Sequence, residues 1–277
     1  MIRSILFPVD FSPACVGLAG YVRRAAAVLE ASVTLVHVFD LAGNNGYEIY
    51  ARPPSDVAEE RRVIAQEKLD SFLRSELPLA ECPRILLSGD PAAEITRQAK
   101  TGGFGLIIMP THAGRFRRML LGSTTAKVLD DSDCPVLTTE HAETIVPRPL
   151  EHREWLCAVG LDGDAEKMLR FAAQTATAAK ARLSLIHAIP ASRPDLDAAA
   201  TQEARQRIEK IQEAAGCDAP LQIAVGRNIE QVLVEAVGRS DADVLSIGRG
   251  PRGSAHGRLR DLTYLLVRDS PFPVLSF

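Results

Sequence analysis

The chain has 277 residues, of which 46% are hydrophobic and 24% charged, a balance that suits two globular domains of about 100–150 residues with real cores. A formal net charge of −3 gives no electrostatic reason to expect nucleic acid or a membrane surface as a partner. Five scattered cysteines, Cys15, Cys82, Cys134, Cys157 and Cys217, contain no Cys-x-x-Cys spacing, which excludes a thiolate metal site and reads as free thiols in a reducing compartment. The N-terminus turns polar too soon for a signal peptide, and no apolar run reaches the roughly 18 residues of a membrane span, so a cytoplasmic protein is expected.

Short apolar runs at Ser4–Val9, Ser32–Val38, Arg84–Ser88, Gly105–Met109 and Val136–Thr139 have the pattern of buried strands. Helical patterns lie between them, at Pro13–Leu29, Ser55–Leu77, Ala92–Thr101 and Ser123–Asp131. Ala92, Ile95 and Ala99 recur at helical spacing, as do Val63, Leu69, Phe72 and Leu73. The Gly-, Asn- and Pro-containing stretch from Leu41 to Asp56 reads as a loop, and Glu140 to His152, with Pro147 and Pro149, as a linker. The order then recurs: strands near Trp155–Val159, Arg182–His187, Leu221–Val225, Val244–Ile247 and Val274–Ser276, helices near Ala165–Ala179, Asp197–Ala215, Ile229–Gly238 and Arg258–Arg268.

The recurrence is an internal repeat. Pro8-Val9-Asp10 matches Gly160-Leu161-Asp162, Leu35-Val36-His37-Val38 matches Leu185-Ile186-His187-Ala188, and Ser88-Gly89-Asp90 matches Val225-Gly226-Arg227. Leu106-Ile107-Ile108-Met109 matches Val244-Leu245-Ser246-Ile247, and Cys134-Pro135-Val136-Leu137 matches Phe272-Pro273-Val274-Leu275. Strand–helix alternation with parallel crossovers predicts an α/β fold of two tandem doubly wound domains, 1–140 and 153–277, each with a five-stranded parallel Rossmann-like sheet. Ligands of such sheets bind beyond the carboxyl ends of the strands, which points to Val9-Asp10, His37-Val38 and Met109-Pro110-Thr111-His112.

Gly114 and Gly122 flank a turn containing Arg115, Arg117 and Arg118, and Gly122-Ser123-Thr124-Thr125 opens a predicted helix. Glycine lets backbone approach a phosphate, and the first helical turn offers unpaired N–H groups and partial positive charge. Two readings of Ser123 stand side by side, phosphate donor or plain N-cap. The arginines read either as charge compensation for polyphosphate or as a solvated basic face. Laid over the second copy, Gly122-Ser123 falls on Arg260-Asp261, where a phosphate meets a carboxylate.

These residues resemble the universal stress protein family over nearly the whole chain. The resemblance rests on Phe7-Pro8-Val9-Asp10-Phe11-Ser12, Leu35-Val36-His37-Val38, Met109-Pro110-Thr111-His112, Leu120-Leu121-Gly122-Ser123 and Cys134-Pro135-Val136-Leu137. It implies an adenine nucleotide α-hydrolase-like fold and a site for ATP or another adenine nucleotide, with Mg as its counter-ion, in the N-terminal half. It further implies a regulatory or stress-protective role. By the same resemblance Pro8, Val9 and Asp10 border the adenosine, the Val38 backbone reads adenine and Met109 lines the base pocket. Pro110, Thr111, His112 and Gly114 build the loop, and Gly122, Ser123 and Thr124 clamp phosphate. Nucleotide-binding members carry Gly-x-x-Gly before the clamp. Here Pro110 and Ala113 stand at those glycines, and the interval from Ala113 to Gly122 is one residue short, leaving Gly114 to act in a shifted register.

Asp10 has two compatible roles, pocket wall and helix entry, with Ser12 as N-cap and Pro13 at the first helical position. His37 and His187 occupy matching places in apolar strands, which predicts a shared structural role. His112 lacks a nearby carboxylate or serine partner, and no nucleophile–base pair is visible, so at most slow ATP hydrolysis is expected. The competing readings are a nucleotide-binding tandem protein, a protein of the same fold acting through protein–protein contacts, and a phosphotransferase. The family pairs through its last strand, which implies an intramolecular pseudo-dimer joined by Val136-Leu137-Thr138 and Val274-Leu275-Ser276, with further homodimerisation left open.

Overall fold

The computed structural model describes residues 2–39, 54–111, 121–139, 153–161, 163–249 and 258–277. Most of the expected loop from Leu41, the linker, His112, Gly114, the three loop arginines and Asp162 lie outside these residues. The first half runs β1 (Ser4–Pro8), α1 (Pro13–Leu29), β2 (Ser32–Phe39), α2 (Pro54–Ser71), β3 (Arg84–Ser88), α3 (Pro91–Thr101), β4 (Leu106–Pro110), α4 (Ser123–Asp131) and β5 (Val136–Thr139). The second runs β6 (Glu154–Ala158), α5 (Ala165–Ala178), β7 (Arg182–Pro190), α6 (Pro194–Ala215), β8 (Leu221–Gly226), α7 (Ile229–Ser240), β9 (Val244–Ile247), α8 (Arg258–Asp269) and β10 (Val274–Ser276).

The two five-stranded parallel sheets are continuous. One sheet of ten strands runs β3-β2-β1-β4-β5-β10-β9-β6-β7-β8, and among these pairings only β5–β10 is antiparallel. Val274 faces Thr138, Leu275 faces Leu137 and Ser276 faces Val136. The joining segments are therefore those that the resemblance implied. Ser276 Oγ donates to Val136 O (3.2 Å) and Thr138 Oγ1 to Val274 O (3.4 Å), satisfying hydroxyls that are otherwise buried.

Strand side chains alternate between two helical layers. Ile5 and Phe7 pack with α1 and Leu69 of α2, and Leu6 packs toward α3 and α4. Two core clusters cross the seam, and a third, with Cys157, Leu169, Leu185 and Ile208, lies wholly in the second half. Leu275, Val244 and Trp155 join the cluster that holds Leu106, Ile108 and Leu137, and Leu245 and Val274 join the cluster that holds Val128 and Val136.

Local chemistry sets the helix starts. Ser12 caps α1 by accepting from Cys15 N (3.4 Å) with Pro13 as its first residue, and Asp90 caps α3 by accepting from Ala93 N (3.0 Å) before Pro91. The structure corrects two expectations. The last residues of the loop expected from Leu41 to Asp56 already belong to α2. That helix also stops at Ser71 instead of Leu77, because Leu73 turns left-handed (φ 54°) and Leu73 and Leu77 fold back into the core. The Arg84 guanidinium gathers the freed carbonyls, donating to Cys82 O (2.5 Å), Leu77 O (2.6 Å) and Phe72 O (3.2 Å).

The seam carries a stability prediction. Leu275 is 1% exposed against Leu137, so Leu275→Ala is expected to destabilise the full chain by about 2–5 kcal/mol. Chemical denaturation checks this, and a loss within experimental error counts against a seam that both cores depend on.

Candidate functional site

At the carboxyl edge of the first half, β1 ends before its neighbour β2. Val9 N donates to Val36 O (2.9 Å), after which the chain leaves the sheet through Asp10 and Phe11, the latter at φ 65°. Backbone groups of a parallel strand alternate sides. The partners of Leu35 N and Phe39 O lie on the β3 side, and that of Val36 O on the β1 side. The Val38 N–H and C=O therefore face the side from which β1 has already departed.

The remaining residues of this edge are anchored. His37 Nδ1 donates to Val9 O (2.7 Å), tying β2 to the end of β1. Burial holds the His37 imidazole below its ordinary 6.5, with the Lys68 charge adding to the effect and the Val9 carbonyl and Asp10 opposing it. Phe11 packs on His37 with ring centroids 4.2 Å apart, and Lys68 Nζ sits 4.4 Å above the Phe11 ring. Exposed Asp10 accepts from Ser12 N (2.9 Å) and lies 3.2 Å from Cys15 Sγ. Burial, reinforced by the Asp10 charge, pushes the Cys15 thiol up to about 12, so it stays protonated and inert.

The start of α4 lies against the end of β4. Gly122 N donates to Thr111 O (2.8 Å) and Thr125 Oγ1 donates to Pro110 O (3.0 Å). The N-cap is Gly122 (φ −60°, ψ 138°), which has no side chain of its own to cap the first turn. This corrects the N-cap reading of Ser123, which is instead the first helical residue, exposed, with Thr124 half-buried beside it. Met109, Pro110 and Thr111 are buried beneath this turn. Pro8, Val9, Asp10, Val38, Met109, Pro110, Thr111, Gly122, Ser123 and Thr124 thus share one edge of one half. His112 and Gly114 fall outside the described residues.

The second half repeats three of the scaffold's bonds. His187 Nδ1 donates to Val159 O (2.8 Å), Thr263 Oγ1 to Gly248 O (3.3 Å) and Arg249 N to Phe277 O (3.0 Å), which matches Thr111 N to Thr139 O (3.1 Å). The paired histidines bear the structural role expected of them. A cleft of about 1050 Å³ opens here at the ends of β6, β7 and β9, lined by Val159, His187, Ala188, Met168, Gly248 and Leu262 among others. Sequence reasoning did not anticipate a cleft of this size in the half without Gly-Ser. It also missed Arg249, which lies at the repeat position of Thr111 and is 9% exposed. Among the described residues no group of His, Cys, Asp and Glu suits a metal ion, and no helix is long and apolar enough to cross a membrane.

A family model described as "Universal stress protein family" matches residues 1–139. Universal stress protein MJ0577 of Methanocaldococcus jannaschii is 27% identical over 158 residues, covering 50% of this chain and 96% of that protein. In fold, the chain is similar to a universal stress protein of Archaeoglobus fulgidus, with TM-score 0.72, 21% identity, and 99% and 97% of the two chains covered. It is also similar to the functionally unknown protein PA1789 of Pseudomonas aeruginosa, with TM-score 0.65, 22% identity, and 100% and 92% covered.

The depressed His37 pKa makes a signed prediction. The unfolded chain takes up this proton first, so the contribution of His37 to stability is full above 6.5, falls as pH drops toward the folded pKa, and then levels. In an NMR titration the His37 ring should turn over below 6.5, and a midpoint at or above that value contradicts the account.

Proposed function

The chain belongs to the universal stress protein family, and from that premise we propose that its first half binds ATP or another adenine nucleotide in a regulatory or stress-protective role. The observation that carries this reading is the glycine-opened first turn of α4, fixed at the end of β4 by the Gly122–Thr111 and Thr125–Pro110 bonds. Its leading N–H groups, which have no carbonyl partner within the helix, and its partial positive charge suit phosphate oxygens, and the Ser123 and Thr124 hydroxyls add donors. The residues therefore fit the group. Val38 offers one backbone donor and one acceptor to an adenine edge, Met109 and Val9 supply apolar contact, and Asp10 stands where a ribose hydroxyl needs an acceptor.

The site is read as one for binding, not turnover. The thiol at this edge, Cys15 beside Asp10, is held protonated by burial and by that carboxylate, which leaves it a poor nucleophile. Mg would arrive with the polyphosphate, since no described carboxylate group is arranged to hold it alone. His112 and Gly114 are assigned to the phosphate loop on the family resemblance. The second half keeps the strand-end scaffold, but Arg260-Asp261 stands in place of Gly-Ser, so it is read as no triphosphate site.

One feature favours a second reading, action through protein contacts without a nucleotide. Pro110 occupies the first glycine position of the family loop, is buried and lacks the N–H that a phosphate loop uses. Calorimetry separates the two. ATP should bind the wild-type chain, and the double variant Gly122→Arg, Ser123→Asp should weaken binding by about 2 kcal/mol or more, at least thirtyfold. Equal affinity for both proteins sinks the clamp. Purified protein without adenine absorbance, and with no thermal shift in millimolar ATP, favours the contact reading.

A further inference from the structure

The helix that opens at the candidate phosphate site in the first half is held at its other end by the second half. Arg249 follows β9 and is 9% exposed. Its guanidinium donates to Leu129 O (2.9 Å), Ser132 O (2.9 Å) and Cys134 O (2.8 Å), carbonyls at and just beyond the end of α4. Tyr264 on α8 adds a second grip, with its hydroxyl 2.6 Å from Asp130 Oδ2 and 3.1 Å from Ala126 O.

The last carbonyls of a helix have no partner within it, and a cation there complements the dipole. The planar fork of arginine meets several such oxygens at once, which a lysine ammonium does not do in one geometry. At nine residues α4 is too short to be stable through its own hydrogen bonds, so its position depends on what fixes its ends. Thr111 and Pro110 hold the first turn and Arg249 holds the last.

The grip is one-sided. The repeat equivalent of Arg249 is Thr111, and the equivalents of Leu129, Ser132 and Cys134 are Val267, Ser270 and Phe272. The surrounding pattern is otherwise conserved between the halves, for Cys134 N bonds Ser132 Oγ (3.1 Å) as Phe272 N bonds Ser270 Oγ (3.2 Å). The threonine side chain is too short to return the contact. The half that lost Gly-Ser therefore carries the arginine, and the half that kept Gly-Ser receives it.

We infer that Arg249 is a positioning residue for the other half's nucleotide site: it fixes the end of α4 so that the first turn of that helix keeps its place at the end of β4. This rests on the nucleotide reading above for its ligand, but the hold on α4 is measurable without one.

The test uses the full chain as wild type, Arg249→Met, Arg249→Lys, and Ser276→Ala as a seam control that leaves α4 untouched. Without ligand, hydrogen exchange of the α4 amides should quicken about tenfold in Arg249→Met, while β1 and β2 stay near wild type. The ATP dissociation constant should rise about tenfold in the same variant, less in Arg249→Lys, and stay near wild type in Ser276→Ala. If the methionine variant fails to fold, the lysine variant carries both measurements. Unchanged α4 exchange overturns the inference, as does uniform acceleration over the whole sheet or unchanged ATP affinity in variants of a wild type that binds. A wild type that binds no ATP sinks the nucleotide reading alone, and the α4 exchange then decides the hold.

Discussion

The antiparallel pairing of β5 with β10 is the constraint on which the rest of the molecule depends. It joins two parallel sheets at their last strands and turns one half over relative to the other. The carboxyl edges of the two halves therefore face opposite ways along the sheet. It also packs side chains of the two halves together on both faces of the sheet. A lone half would expose Leu137 or Leu275 on an open strand edge, the kind of edge that proteins cover or pair.

The same inversion decides what each carboxyl edge touches. Because β5 and β10 run in opposite directions, the turn that enters β5, following the end of α4, lies beside the carboxyl edge of the second half. The cleft there is accordingly walled partly by Leu129, Ser132 and Pro135 from the first half. The helix α4 spans this geometry. Its first turn belongs to one edge and its last turn to the other, so a side chain that ends β9 can set the attitude of a helix that follows β4. The seam turns a repeat into a unit in which neighbouring edges share an element.

Much of this fold was legible in the sequence, because apolar periodicity and turn chemistry are local signals. Asp90-Pro91 and Ser12-Pro13 mark helix starts by side-chain capping and preset φ, and the strands Val136–Thr139 and Val274–Ser276 showed as short buried runs. The end of α2 was not legible. Leu73 and Leu77 continue a helical pattern, and only the carbonyls gathered by Arg84 explain why the chain turns back. Arg249 was missed for the same reason. Its partners are backbone oxygens more than a hundred residues away, and no spacing rule points from a guanidinium to carbonyls. At the site, the strand ends and the Gly122-Ser123 helix start were readable, whereas the identity of the N-cap depended on φ and ψ at Gly122.

The two arginines also explain why the repeat diverged where it did. A helix or turn that ends inside the protein leaves carbonyls that water cannot reach, and a buried guanidinium satisfies several with one side chain. Arg84 does this within its own half, under a turn that the second half lacks. Arg249 does it across the seam, and for that it must stand at the end of β9, the place that Thr111 holds under the first turn of α4. A long cation at that place in the second half is compatible with a carboxylate at 261 and with no Gly-Ser turn, because the position serves the neighbour's helix. A compact threonine at 111 leaves room for the Gly122–Thr111 bond and an open turn above it. One repeat position thus does different work in the two halves: Thr111 fixes the first turn of α4 through its carbonyl, whereas Arg249 reaches across the seam to the carbonyls at the far end of that helix.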